Sequence, residues 1–162
     1  MTPAKGNRTW TIPNDLAKAV ALSGEAMEWV ESFPVSEHSR YATRLVLEEL
    51  LTNTIKYAYP DGKPHLISVR VNISNRRIQV ELVDDGRPFD PTAQPGPDLE
   101  THFDGENPGG LGLELVRQLT HRMDYRRDPP NNHLHLQIPT DDPDEDPAGS
   151  DSPAGPSEEP AP

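Results

Sequence analysis

Residues 140–162, TDDPDEDPAGSDSPAGPSEEPAP, carry eight acids, six prolines and no base. A stretch that polar lacks the apolar surface needed to offset the entropy of ordering it, so it is expected as a disordered tail. The folded part is then about residues 1–139. Either a solvating extension or a regulatory, partner-binding segment fits the tail's composition. With 33 % hydrophobic residues in 162, the remainder holds one modest core and not two.

The formal charge of the chain is -12. Setting the tail's eight acids aside leaves 19 acids against 15 bases, a net -4. That balance repels nucleic acid and anionic membranes unless a local basic patch compensates, and none is visible. No apolar run approaches the roughly 20 residues that span a bilayer, and MTPAKGNRTW lacks the hydrophobic segment of a signal peptide. The expected location is the cytoplasm. The absence of cysteine excludes disulfides, thiol catalysis and cysteine-ligated zinc.

Within the domain, residues 7–12 have the β-rich composition of an edge strand. A helix is expected from an Asn14 cap to Phe33, where Pro34 breaks it, and a second runs from a Ser36 cap to Tyr59, ended by Pro60-Asp61-Gly62. LISVRVNI (66–73) and RIQVELV (77–83) alternate as paired antiparallel strands do. Residues 92–108, with three prolines, two glycines and no periodicity, form a long loop of the kind that usually has a function. A third helix is expected over 110–123, followed by strands in MDYRR and HLHLQI joined at PPNN. The order αα, ββ, α, ββ predicts an α+β fold, an antiparallel sheet with helices on one face.

Three segments interrupt this pattern with polar or glycine residues. On the second helix Glu49, Asn53 and Lys56 project from one stripe that is otherwise apolar, whereas Glu48 on the flank reads as a surface charge. A buried carboxylate, amide and ammonium require partners. A solvent-facing stripe with ordinary helical pairing also fits this segment alone. Val83-Asp84-Asp85-Gly86 leaves a strand into a glycine turn, which lets a carboxylate accept hydrogen bonds from an amino group and lets a ligand's ring approach Gly86 closely. An ordinary turn fits it equally well. Gly109-Gly110-Leu111-Gly112-Leu113 opens the third helix with unshielded backbone N–H groups at a positive helix end, a setting that suits a phosphate chain.

Taken together, LEELLTNTIKYAY, VDDGRPFDP and GGLGLELVRQL resemble the nucleotide-binding boxes of the GHKL ATPases over roughly residues 10–138. Within that superfamily they look most like the stand-alone anti-sigma factor serine/threonine kinases of bacterial partner switching. The resemblance implies a Bergerat-type two-layer α/β sandwich that binds ATP and Mg²⁺. It further implies that Glu49 is the catalytic glutamate and Asn53 the magnesium ligand, and that Asp84 bonds the adenine amino group with Gly86 against the ring. Gly110, Leu111 and Gly112 hold the phosphates under a lid formed by 92–108. Lys56 supplies one positive charge, with Arg117 or a partner chain as a further source. The implied partners are a small STAS-type antagonist (anti-anti-sigma) protein, which is phosphorylated, and a sigma factor, bound by a homodimer with no direct contact to nucleic acid or membrane. An ATP-dependent binding module with little kinase activity, acting on a non-sigma target, is the alternative.

Other polar groups carry less. His133 and His135 share a strand face without a third ligand in sight. Trp10 and Trp29 read as core or interface aromatics, and Arg126 and Arg127 as solvated strand charges.

Overall fold

The computed structural model of the chain describes residues 5–74, 77–93 and 110–140. Strand β1 (Lys5–Pro13) leads into helix α1 (Leu16–Glu31) and helix α2 (Glu37–Tyr57). Strands β2 (Leu66–Ser74) and β3 (Arg77–Asp84) follow, then helix α3 (Gly110–Leu119) and strands β4 (Arg122–Asp128) and β5 (Asn131–Pro139). The five strands form one antiparallel sheet in the order β1-β2-β3-β5-β4. The α+β layering read from the element order is therefore observed. Residues 94–108 of the expected lid and 141–162 of the expected tail lie outside the described residues.

Strict alternation sorts the sheet into two faces. Ile67, Val69, Val71 and Ile73 of β2 point the same way as Ile78, Val80 and Leu82 of β3 and Leu134, Leu136 and Ile138 of β5. They meet Leu22, Ala26, Val30, Val46, Leu47 and Leu50 from α1 and α2 in a single core. Trp10 closes the β1 edge, edge-on to Trp29 at 5.9 Å, and Trp29 in turn meets Phe33 at 4.9 Å. Both tryptophans thus serve the core, as expected.

Several boundaries differ from the sequence reading, each for a local reason. Asp15, not Asn14, caps α1, its carboxylate accepting from the Lys18 N–H. Asn14 is engaged elsewhere: it accepts from the His65 N–H at 3.0 Å and its amide donates to the Lys63 carbonyl at 3.1 Å. Helix α1 stops at Glu31 because the Ser32 and Phe33 N–H groups turn back three residues to Trp29 and Val30. Helix α2 begins on the Ser36 cap as expected but ends at Tyr57. Helix α3 ends at Leu119, where the Thr120 hydroxyl bonds back to the Val116 carbonyl, and the His121 N–H already pairs with Gln137 of β5 at 2.7 Å. The folded part reaches one residue past Pro139, since Thr140 is buried.

Candidate active site

Because β5 inserts between β3 and β4, Asp84 at the end of β3 stands directly across from Asn132 of β5, and both face the helix layer. They are 7 % and 5 % exposed. Two buried polar side chains at the end of an apolar row require mutual satisfaction. The Asn132 amide donates to Asp84 Oδ1 at 2.9 Å, and the Gly86 N–H donates to the same oxygen at 2.9 Å. Among the described residues, Asp84 Oδ2 accepts no hydrogen bond. The Asn132 amide nitrogen also reaches the carbonyls of Gly86 and Arg87. Its Oδ1 accepts from Tyr125 Oη at 2.6 Å and Arg127 Nη1 at 3.0 Å, and Arg127 bonds the Gly86 carbonyl at 3.0 Å. The turn after β3 is thus fixed by one amide and one guanidinium. Arg127 is accordingly not a solvated strand charge. It is half-buried and points along the inward face of β4, while Arg126 is exposed as expected.

Gly86 sits where a side chain would not fit. A Cβ there would come within 2.7 Å of the Ala58 carbonyl and 2.9 Å of Asp84 Oδ1. The Arg87 N–H bonds that Ala58 carbonyl at 2.9 Å, so the turn is held against the end of α2. Tyr59, just beyond, stacks on His65 with centroids 4.4 Å apart. Its hydroxyl is buried with no partner among the described residues. Burial first, then the charges of Asp84, Asp85 and Asp61, push its pKa far above the ordinary phenol range, so it remains an O–H donor beside Asp84. His65 bridges Asp61 at 2.8 Å and Asp85 at 3.0 Å. Its hydrogen bond to Asp61, with that to Asp85, holds its pKa above the ordinary 6.5.

Nine residues before Ala58 on α2, about 13 Å along the axis at the helical rise, is Glu49. Its carboxylate lies against the start of α3: a Cβ on Gly112 would come within 2.7 Å of Glu49 Cδ, and closer still to Oε2. Gly112 therefore gives the carboxylate room at the helix opening. Asn53 lies between Glu49 and Ala58, one turn from Glu49. Both side chains are half-buried, and among the described residues neither makes a hydrogen bond or ion pair. Lys56, Glu48 and Leu111 are exposed. Gly110 is the first residue of α3. Arg117 is already engaged, with the Pro91 carbonyl and with Glu114 at 3.6 Å.

The structure thus brings Glu49 to Gly112 and sets Asp84 and Gly86 at the other end of the same stretch of α2, with Asn53 between. His133 lies apart on the outer sheet face, 3.6 Å from Glu81. Sequence reasoning missed Asn132, Tyr125, Arg127 and Tyr59. The one available signal was the polar break of Asn131-Asn132 at the head of an alternating strand, and its meaning depends on which strand lies beside β3.

A family model described as a histidine kinase-like ATPase domain matches residues 12–138, a span that takes in both ends of this site. The chain belongs to that family. The serine/threonine-protein kinase BtrW of Bordetella bronchiseptica is 29 % identical over 126 residues, covering 75 % of this chain and 89 % of that protein. The serine-protein kinase RsbW of Bacillus subtilis is 31 % identical over 80 residues, covering 47 % of this chain and half of that protein. Among solved structures, the RsbU and RsbW domains of a Mycobacterium tuberculosis protein superpose with a TM-score of 0.54 at 10 % identity, over 82 % of this chain and 32 % of that one. A blue-light activated histidine kinase of Erythrobacter litoralis superposes with a TM-score of 0.53 at 20 % identity, over 77 % of this chain and 42 % of that one. At these identities the structural likenesses bear on the fold alone. Among the described residues, no helix is long and apolar enough to cross a membrane.

Proposed function

We propose that the protein is an ATP-dependent serine/threonine kinase whose substrate is a small antagonist protein, and that it controls a sigma factor by partner switching as a homodimer. The observation that carries this reading is the contact of Glu49 with Gly112. A carboxylate without a partner among the described residues stands at a glycine-opened helix start, on the same helix that backs the buried Asp84. Curated relatives named as serine and serine/threonine kinases support the reaction class.

The residues present fit a nucleotide. Asp84 Oδ2 accepts the adenine amino group, and Gly86, with no room for a side chain behind it, lies against the ring. The first N–H groups of α3, at Gly110, Leu111 and Gly112, meet the phosphates with the positive end of the helix dipole. Asn53, a half-buried amide with no partner among the described residues, would hold Mg²⁺. When bound, Mg-ATP supplies the phosphoryl group and the charge that neutralises it. Glu49 orients the incoming hydroxyl and accepts its proton, and positioning together with fixed dipoles does most of the remaining work. Lys56, exposed at the end of α2, adds a positive charge at the rim.

The test is transfer of labelled γ-phosphate to an antagonist partner in the presence of Mg²⁺. Incorporation into a serine or threonine, abolished by EDTA, is the expected result. Tight Mg-ATP binding without incorporation into any cognate partner would replace the kinase by an ATP-dependent binding module.

A further inference from the structure

Helices α1 and α2 run antiparallel, and a groove of about 540 Å³ follows their seam. Met27 and Leu51, 4 % and 1 % exposed, form its apolar floor. Its wall is made of Leu16 and Val20, which are 47 % and 74 % exposed, a large apolar exposure for two residues one turn apart on a surface helix. Its charged lining is one-sided: Glu28, Glu31, Glu48 and Glu49 against Arg44 alone, and Arg44 is paired with Glu31 at 3.9 Å. Among the described residues, Glu28, Glu48 and Glu49 have no ion-pair partner.

We infer that this groove docks the segment of the substrate protein that carries the acceptor hydroxyl, and that this segment is apolar on one side and flanked by lysine or arginine. The inference rests on the kinase reading above and adds the chemistry of its partner. Two observations converge on it. The groove contains Glu49 in its own lining, so an occupant reaches the carboxylate without crossing the molecule. Its uncompensated acids select for a basic partner and against an acidic one. The chain's own acidic segments are poor occupants for the same reason, since residues 140–162 carry eight acids and no base, and 92–108 carry four acids and no lysine or arginine.

The experiment uses the full chain and two fluorescent serine-containing peptides with the same apolar positions, one with lysine and the other with glutamate at the flanking positions. Anisotropy should give at least about fivefold tighter binding of the lysine peptide, as expected for two or three exposed charge pairs. The Leu16→Asn/Val20→Asn pair, which removes exposed apolar surface, should weaken that binding about tenfold. Glu28→Lys/Glu48→Lys should erase or invert the preference. All these variants should keep the parent's Mg-ATP affinity and melting temperature. Equal binding of the two peptides, or binding untouched by both variant pairs, overturns the docking surface even where antagonist phosphorylation is intact. A lysine peptide that docks as described but never takes the γ-phosphate supports the groove and sinks the kinase reading, so the two failures are distinguishable.

Discussion

At the β3–β5 end of the site a network fixes the polar groups of the turn: Asp84 Oδ1 is held by Asn132 and Gly86, Asn132 by Tyr125 and Arg127, and the turn itself by Ala58 and Arg127, with the Tyr59 hydroxyl left without a partner among the described residues. At the α2–α3 end, Glu49 and Asn53 stand half-buried with no side-chain partner among the described residues. Under the proposed function the difference matches two tasks. Reading a ring's edge needs an acceptor fixed to within a few tenths of an ångström, which a network of buried hydrogen bonds supplies. Phosphate, metal and an incoming hydroxyl bring their own charges and donors, so the groups that meet them are left open until they arrive.

The largest effect expected from breaking this contrast is at the open end. Glu49→Gln keeps shape and hydrogen-bonding capacity but removes the base, and should lower the phosphorylation rate by about 10²- to 10⁴-fold with Mg-ATP affinity nearly unchanged. Quench-flow incorporation of labelled phosphate, with calorimetry alongside, measures both.

At the fixed end the loss should appear in binding. Asp84→Asn replaces a charged acceptor by an amide, which costs about 1.5 to 3 kcal/mol for a charge-assisted bond, a roughly 10- to 150-fold weaker ATP affinity by calorimetry. Asn132→Ala should destabilise the fold itself by about 1 to 3 kcal/mol, because Asp84, Tyr125 and Arg127 each lose a partner in a buried setting. Urea unfolding at unchanged m-value is the measure. A neutral Asn132→Ala would mean that the fixed end is no more rigid than the open one.

A smaller, pH-dependent effect comes from the pairing of His65 with Asp61 and Asp85 beside the fixed end. The pKa of His65 is raised above 6.5, so its pairing contributes fully below 6.5 and fades as pH rises through the raised value. Asp61 is lowered below 3.8, chiefly by the Lys63 backbone N–H and then by His65, so its part is present above 3.8 and fades as pH falls through the lowered value. The melting temperature of His65→Asn should therefore fall below the parent's between about pH 4 and 6.5, with the gap closing on either side. Smallest of all, deletion of 141–162 should leave the melting temperature and ATP affinity unchanged, since that segment has no hydrophobic residue larger than alanine, apart from proline, to add to a core.

Much of this was legible in the chain. Period-two alternation gave the strands, Ser36 gave the start of α2, and the polar interruptions at Glu49, Asp84 and the glycines pointed to the candidate site. What escaped depends on non-local neighbours. Asn132 gains meaning only once β5 is known to lie beside β3, and Arg127 reads as a surface charge until β4 is placed with Gly86 within reach. Asn14 looks like a cap because caps are local, yet it was claimed by Lys63 and His65, some fifty residues away.

The central claim is that one end of the site binds and the other reacts. The direct test is the rate of γ-phosphate transfer to the antagonist as a function of ATP concentration for the parent, Asp84→Asn and Glu49→Gln. Asp84→Asn should recover most of the parent's rate at saturating ATP, with KM raised about 10- to 150-fold, while Glu49→Gln should stay about 10²-fold or more below it at every concentration. Recovery of Glu49→Gln at high ATP, or an unrecoverable loss in Asp84→Asn, would contradict the division.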